Sequence, residues 1–320
     1  MKSIFTIPLL LALILIFSCQ KDDEKKPKPN YPFKADTTTV EVDAELFMNI
    51  TYMPRSMAYD TADNSLYFYA PYGTNETGFQ ILKYNLTTST LLTVYFYDDQ
   101  QWANSNGSEG RRLLISGNEF WVPGGATNDK LFLLFIGNNT LQPFGYYDVN
   151  MVNYGNKQGD SPYDMVKYQD KLYTLSMNDF VFYGEYSMTV SNAGNFSTGN
   201  TVHGSSLAVV TIDSTDYFLV KCGSDNTIEL RTITGDFVRS VPLNTGNHSQ
   251  LVVDSKQRVY VYNSQEQKFF RYSADLLTKE EFYVDYCSES MGFALREDGD
   301  HVTIFAGLYP KGLGMVRLPF

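Results

Sequence analysis

The chain has 320 residues, of which 43% are hydrophobic and 19% are charged, so it has enough apolar surface for a sizeable core. Its formal net charge of −11 at pH 7 argues against nucleic acid or an anionic membrane surface as the main partner, because the field of the protein would repel either one. The 24 Tyr, 22 Phe and 23 Gly favour strands and tight turns over helices. The predicted fold class is therefore all-β.

The first 18 residues have the pattern of a secretory signal peptide. Lys2 precedes an apolar run over residues 4–17, which is too short to span a bilayer comfortably. Residues 15–19, Leu-Ile-Phe-Ser-Cys, resemble the lipobox of bacterial lipoproteins, which ends in the cysteine that is acylated. The resemblance implies that residues 1–18 are removed and that Cys19 carries the lipid. The alternative is an ordinary signal peptide with a chance cysteine.

A charged and then proline-rich segment follows this cysteine. Residues 20–24, Gln-Lys-Asp-Asp-Glu, resemble the acidic export signal of surface lipoproteins of the Bacteroidetes type. The alternative is a merely solvated charge run. Residues 25–32, Lys-Lys-Pro-Lys-Pro-Asn-Tyr-Pro, predict a stiff, extended spacer. We therefore expect residues 19–38 to be a lipidated tether and the protein to be an outer-membrane lipoprotein exposed at the cell surface.

A repeated unit of strands and turns begins near residue 55 and fills the rest of the chain. Its clearest copy opens with residues 249–254, continues through apolar strands at 259–262 and 268–272, and ends with a strand at 279–284. The charged start of this last strand suits a solvent-facing edge. Six such copies begin near residues 55, 111, 162, 205, 249 and 290.

The spacing of about 40 to 55 residues predicts a six-bladed β-propeller over residues 39–320, with four antiparallel strands in each blade. The last copy is one strand short. Residues 39–43 or 46–50 can supply the missing outer strand, so that N-terminal and C-terminal strands pair and close the ring. A pair of β-sandwiches with hairpins of similar length is the alternative architecture.

The strands at 251–254, 259–261 and 269–272 also resemble the repeat of six-bladed propellers of the NHL and TolB-like type. This resemblance covers about residues 55–320. It implies an architecture and not an activity, because one fold can carry many functions.

Polar residues recur just before the first strand of each predicted blade, where a propeller has one mouth of its central channel. Two arginines from adjacent copies favour a carboxylate or another anion as the ligand. The alternative is that these side chains only satisfy backbone groups of the loops. The predicted ligand-binding residues are Arg55, Arg111, Arg112, Tyr163, Asp164, His203, His248, Gln250 and Glu289.

Two aromatic residues in polar loops, Trp102 and Tyr154, are further candidate contacts, because flat aromatic faces can stack on sugar rings. Cys222 and Cys287 form neither a disulfide framework nor a zinc-binding pattern. We interpret them as isolated buried thiols.

Signatures of catalysis are weak. The sequence has no HExxH, no GxSxG elbow, no P-loop and no dinucleotide fingerprint. Propeller hydrolases of the lactonase kind hold calcium with several carboxylates, whereas Asp164 and Glu289 beside two arginines make a poor cage for an ion that takes about six to eight oxygen ligands. We therefore expect no metal and no cofactor.

The leading hypothesis is a lipid-anchored propeller of the cell envelope that binds a glycan, a peptide or a partner protein. A third interpretation is structural: a subunit attached to an outer-membrane import or assembly complex. The alternative is an envelope hydrolase or lyase, glycan-active or lactonase-like, with its active site at the channel mouth. The lipid is the expected membrane contact, and nucleic acid is not an expected partner.

Replacing the proposed acylation residue tests the anchor. Cys19→Ala should release the protein from the membrane fraction or leave it unprocessed, because its thiol is the only proposed attachment point for lipid. Fractionation followed by mass spectrometry of the N-terminus measures this. Cys222→Ala and Cys287→Ala are the matched controls and should stay membrane-bound. A Cys19→Ala protein that is processed and anchored like the parent would show that the lipoprotein interpretation is wrong.

Overall fold

The computed structural model describes residues 36–42, 44–48, 56–72, 78–98, 112–123, 130–136, 141–148, 162–176, 180–186, 190–197, 204–222, 226–243, 249–284, 292–308 and 312–320. All of them belong to the unit Phe33–Phe320, whereas the other unit, Met1–Pro32, which contains Cys19, lies outside the described residues. The described residues form strands and no α-helix, which confirms the predicted all-β class. No helix that could cross a membrane occurs in this part of the chain.

The described strands number 25. In chain order they are β1 (Asp36–Val42), β2 (Ala44–Met48), β3 (Ser56–Asp60), β4 (Ser65–Tyr72), β5 (Gly78–Asn85), β6 (Thr90–Asp98), β7 (Leu114–Ser116), β8 (Glu119–Pro123), β9 (Lys130–Ile136), β10 (Leu141–Asp148), β11 (Pro162–Tyr168), β12 (Lys171–Ser176), β13 (Phe180–Tyr186), β14 (Val190–Ser197), β15 (Gly204–Ile212), β16 (Thr215–Cys222), β17 (Thr227–Thr232), β18 (Phe237–Pro242), β19 (Val252–Val253), β20 (Val259–Asn263), β21 (Lys268–Tyr272), β22 (Thr278–Val284), β23 (Phe293–Glu297), β24 (His301–Leu308) and β25 (Gly312–Pro319).

These strands form six sheets, numbered here in chain order. Sheets 1 to 4 are β3–β6, β7–β10, β11–β14 and β15–β18, and in each one consecutive strands pair antiparallel. Sheet 5 contains β19–β22 with β1, and sheet 6 contains β23–β25 with β2. Several four-stranded antiparallel sheets, as predicted from the repeat, are therefore present.

Short turns connect many of the paired strands, and residues that tolerate a left-handed backbone occupy several of them. Asn64 has a φ of 55° in the turn between β3 and β4, and Gly117 has a φ of 60° between β7 and β8. Asn and Gly adopt this conformation at low cost, so these turns reverse the chain directly. The flanking strands are rich in β-branched and aromatic residues, which fit a pleated surface that is buried on its faces.

The N-terminal strands join two different sheets. β2 pairs antiparallel with β25, from Ala44 opposite Val316 to Met48 opposite Leu313, so sheet 6 receives its fourth strand from the N-terminal segment. β1 instead pairs in parallel with β22, from Asp36 opposite Thr278 to Val42 opposite Val284. The expectation of four antiparallel strands in every sheet is thus wrong for sheet 5, which gains a fifth, parallel strand along its outer edge.

Apolar side chains pack between neighbouring sheets. Leu219 and Leu230 of sheet 4 lie in one buried cluster with Val261 of sheet 5. Phe269 of sheet 5 meets Phe293 of sheet 6 edge to face, with 5.2 Å between the ring centroids. Similar clusters join sheet 6 to sheet 1, sheet 1 to sheet 2, and sheet 3 to sheet 4. Each large side chain buried in this way contributes about 1.5–3 kcal/mol.

The first strands of the six sheets contact one another in succession. β3 contacts β7, β7 contacts β11, β11 contacts β15, β15 contacts β19 and β19 contacts β23, which in turn contacts β3. The residues at the start of each first strand are therefore brought toward those of the neighbouring sheets.

Removing the two N-terminal strands tests their contribution to stability. Deletion of residues 36–48 should lower the Tm of the full-length protein by roughly 10 °C or more, because it exposes the edges of β22 and β25 and each kcal/mol shifts the Tm by about 2–4 °C in a chain of this size. Circular dichroism on detergent-purified protein measures the change. An equally long deletion of residues 20–32 is the control. Equal Tm values for the two deletions would contradict a structural role for β1 and β2.

Candidate functional site

Polar residues at the starts of the first strands form one buried group, here called the strand-start cluster: Arg112, Asp164, Ser206, Ser249 and Gln250. Arg112 lies two residues before β7, the first strand of sheet 2, and Asp164 and Ser206 lie near the starts of β11 and β15. Ser249 and Gln250 lead into β19. Because the first strands contact one another, these equivalent positions in the repeat come together in space.

The guanidinium group of Arg112 binds atoms of three other sheets. Its Nε donates to Asp164 Oδ1 at 2.6 Å, and its Nη2 lies 3.2 Å from Oδ2 of the same carboxylate. Nη2 also donates to the carbonyl oxygens of Leu207 at 3.1 Å and Leu251 at 2.6 Å, and lies 3.4 Å from Ser206 Oγ. One side chain from sheet 2 therefore holds sheets 3, 4 and 5.

The carboxylate of Asp164 is fully buried and accepts hydrogen bonds from four residues. Besides Arg112, its donors are the backbone N–H of Met165 at 2.8 Å, Ser206 Oγ at 2.6 Å and the backbone N–H of Leu207 at 2.8 Å. A buried carboxylate is tolerated only when it is paired and hydrogen-bonded, and its two oxygens have about four acceptor positions. This arrangement occupies the acceptor positions of the Asp164 carboxylate.

The cluster continues through Ser249 and Gln250 toward sheet 6. Ser249 Oγ accepts a hydrogen bond from the backbone N–H of Tyr262 at 2.8 Å, and Lys221 Nζ donates to the carbonyl oxygen of Ser249 at 2.6 Å. Gln250 Nε2 donates to the carbonyl oxygen of Phe293 at 2.9 Å. Five of the six sheets are thus joined by hydrogen bonds near the starts of their first strands.

Two polar atoms of this cluster are not used by the described part of the protein. Arg112 Nη1 makes no hydrogen bond with it, and the Arg112 side chain keeps 13% of its surface exposed. Gln250 is 1% exposed, and its Oε1 has no described partner. The carbonyl of Phe293 requires a donor, which fixes the orientation of the Gln250 amide. The cluster therefore contains one arginine side chain that is partly exposed and one buried acceptor without a described partner.

The structure brings together three of the predicted site residues, Arg112, Asp164 and Gln250. Tyr163 lies in β11 beside Asp164. The other predicted ligand-binding or aromatic contact residues lie outside the described residues; these are Arg55, Arg111, His203, His248, Glu289, Trp102 and Tyr154.

Sequence reasoning did not single out Lys221, which donates a hydrogen bond to Ser249 of the strand-start cluster. The sequence does indicate that Lys221 is unusual, because it is a lone cation at the end of the apolar strand β16. In the structure this side chain is only 3% exposed. A buried lysine must find acceptors, and here the Ser249 carbonyl oxygen is one of them. Its partner belongs to the next copy of the repeat, which the sequence does not reveal.

Metal binding finds no support within the described residues. No group of three or more His, Cys, Asp or Glu side chains among them is arranged to hold a metal ion.

Comparisons with known proteins point to a fold and not to a family. No family model matches the chain, and no curated protein matches it. Among solved structures, a chain of the mitotic checkpoint complex is similar with a TM-score of 0.56 at 12% identity, over 95% of this chain and 98% of that chain. The computationally designed protein Ika8 is similar with a TM-score of 0.46 at 12% identity, over 82% of this chain and 70% of that one. At such identity the first likeness concerns the fold alone.

Substitution of the buried carboxylate tests the strand-start cluster. Asp164→Asn should lower the free energy of unfolding by about 3–5 kcal/mol, because it leaves the Arg112 charge buried without its counter-ion. Denaturant unfolding of the full-length protein measures the loss.

Asp300→Asn is the matched control, because the Asp300 side chain is 93% exposed. It should leave the free energy of unfolding nearly unchanged. If the two variants unfold at the same denaturant concentration, the Arg112–Asp164 pair does not hold the sheets together.

Proposed function

We propose that this protein is a lipid-anchored β-propeller of the cell envelope that binds a glycan, a peptide or a partner protein. The binding site is the channel mouth at which the first strands of six blades begin. Cys19 carries the anchor, and residues 19–35 link it to the propeller at the outer surface of the outer membrane, because β1 already begins at Asp36. The single observation that carries the binding role is that the Arg112 side chain, although paired with Asp164, stays 13% exposed in the strand-start cluster.

Three observations support a closed ring of six blades. The described strands form six sheets, and each first strand contacts the first strand of its two neighbours. The pairing of β2 with β25 joins the N-terminal and C-terminal segments within sheet 6. Such pairing removes an open edge, which favours closure over two stacked sandwiches.

The charges at the proposed channel mouth indicate which class of ligand fits it. The Asp164 carboxylate balances the positive charge of Arg112. Arg112 by itself therefore attracts an anion weakly. Arg55 and Arg111 enter the same region in the predicted repeat and supply the further positive charge. A ligand with a carboxylate, such as an acidic sugar, matches two or three arginines through charge-assisted hydrogen bonds.

A hydrolase or lyase that uses Asp164 as its base is less well supported. Donors from four residues occupy the Asp164 carboxylate, so a substrate could reach its oxygens only after this network broke. The described residues therefore favour binding over catalysis at this carboxylate.

Glycan-array screening of the full-length protein, followed by titration of the best ligand, tests this proposal. Arg111→Ala should weaken binding of a carboxylate-bearing ligand by about 1.5–3 kcal/mol, the contribution of a hydrogen bond to a charged group. Arg111→Lys should recover only part of the affinity, because lysine lacks the two-pronged geometry.

Arg317→Ala removes an exposed arginine on β25 and serves as the control; it should bind like the parent. The anion site would be contradicted if the protein bound only neutral glycans and the Arg55→Ala, Arg111→Ala double variant bound them as tightly as the parent. Recognition would then rest on Trp102 and Tyr154.

A further inference from the structure

The oxygen atoms around the guanidinium group of Arg112 form a cage that comes from three sheets. Five oxygen atoms lie within 3.4 Å of Nε or Nη2; these are both carboxylate oxygens of Asp164, Ser206 Oγ and the carbonyl oxygens of Leu207 and Leu251. All of them except Asp164 Oδ1 surround the single nitrogen Nη2. We name this group the oxygen cage.

The oxygen cage lies in the space between the first strands and not between two neighbouring sheets. Arg112 precedes β7, which contacts β3 on one side and β11 on the other. Its guanidinium group nevertheless reaches the carbonyl oxygen of Leu207 in β15 and that of Leu251, the residue before β19. These strands are the second and third along from β7. The Arg112 side chain must therefore cross the space that the first strands border.

Hydrogen bonds that do not involve Arg112 hold the atoms of the cage in place. Asp164 Oδ2 accepts from Ser206 Oγ at 2.6 Å and from the backbone N–H of Leu207 at 2.8 Å. Ser206 Oγ in turn accepts from the backbone N–H of Leu251 at 2.8 Å. The side chains of Leu207 and Leu251 are fully buried in two apolar clusters. We therefore expect the cage to remain when the Arg112 side chain is removed.

The charge and shape of the cage match a guanidinium group. The Asp164 carboxylate is the one ionised group among its oxygen atoms, and a buried carboxylate is strongly unfavourable without a cation. Nε and Nη2 of Arg112 reach one carboxylate oxygen each, at 2.6 and 3.2 Å. This two-pronged contact is specific to the planar guanidinium fork.

We propose that the oxygen cage is a guanidinium-binding site and that the protein fills it with its own Arg112, which thereby plugs the space between the first strands. In the parent protein an external cation finds the cage occupied. A ligand at the proposed channel mouth meets the outer side of Arg112 and does not pass it. A guanidinium site at this position depends neither on the lipid anchor nor on the identity of that ligand.

Other cations fit the cage less well. A compact ammonium group at the position of Nη2 would contact the oxygen atoms around it but would leave Asp164 Oδ1 without the donor that Nε supplies. A hard dication takes about six to eight oxygen ligands, which is more than the cage supplies. A guanidinium group needs only the acceptors that are present.

Chemical rescue of an Arg112→Ala variant tests the site. Ethylguanidinium has the atoms that this substitution removes, and the 13% exposure of the Arg112 side chain indicates that its removal opens a path from solvent. The Tm of full-length Arg112→Ala should lie below that of the parent. Ethylguanidinium chloride should raise it saturably, by about 3–6 °C at a concentration tenfold above its Kd, and should not raise the Tm of the parent.

Two variants and one salt are the controls. Adding Asp164→Asn to Arg112→Ala should abolish the rescue, because the cage then has no carboxylate. Arg317→Ala removes an exposed arginine and should show no rescue. Ethylammonium chloride at equal concentration should raise the Tm of Arg112→Ala less than ethylguanidinium does, because it lacks the fork.

Arg112→Lys retains the charge without the fork, and it decides the question if Arg112→Ala does not fold. Its Tm should lie below that of the parent. The guanidinium site is overturned if ethylguanidinium gives Arg112→Ala no saturable rise beyond that of the parent, or if ethylammonium rescues it equally well. An Arg112→Lys protein with the parent Tm also overturns it. Because ethylguanidinium carries no anionic group, these outcomes are separate from glycan binding at the proposed mouth.

Discussion

The ion pair between Arg112 and Asp164 is the interaction on which the arrangement of the sheets depends. A fully buried carboxylate costs several kcal/mol unless donors surround it, and the donors to Asp164 come from three different sheets. No single sheet can complete this environment. The residues involved are also far apart in sequence, so the favourable geometry of the pair appears only after the sheets have assembled.

Apolar packing and the strand-start cluster contribute to this fold in different ways. The clusters between sheets, such as Leu219 with Val261, supply most of the stabilisation, but hydrophobic burial is non-directional. The contacts of Arg112 with two carbonyl oxygens and one carboxylate require one relative position of the neighbouring strands. The same demand fixes the positions of the strand starts, which in the proposed binding role lowers the entropic cost of binding a ligand there.

The sequence predicts local structure well here and long-range pairing less well. The strands predicted at 259–262 and 268–272 match β20 and β21, because two short apolar runs joined by a polar turn specify a hairpin locally. The parallel pairing of β1 with β22 joins segments that are far apart in the chain, and no periodicity in the sequence indicates this pairing. The polar positions of Arg112 and Asp164 were recognisable from the repeat, but their mutual pairing was not.

Amide hydrogen exchange tests the central claim most directly, namely that the strand-start cluster opens only when the sheets separate. The backbone N–H groups of Met165 and Leu207 donate to Asp164, and that of Leu251 donates to Ser206 Oγ at 2.8 Å. These three amides lie in or beside the first strands of different sheets. They should exchange with the same free energy, equal to that of global unfolding, and Arg112→Met should lower all three together. Exchange of one of them at a much lower free energy, or an Arg112→Met effect confined to Met165, would contradict a cluster that couples the sheets.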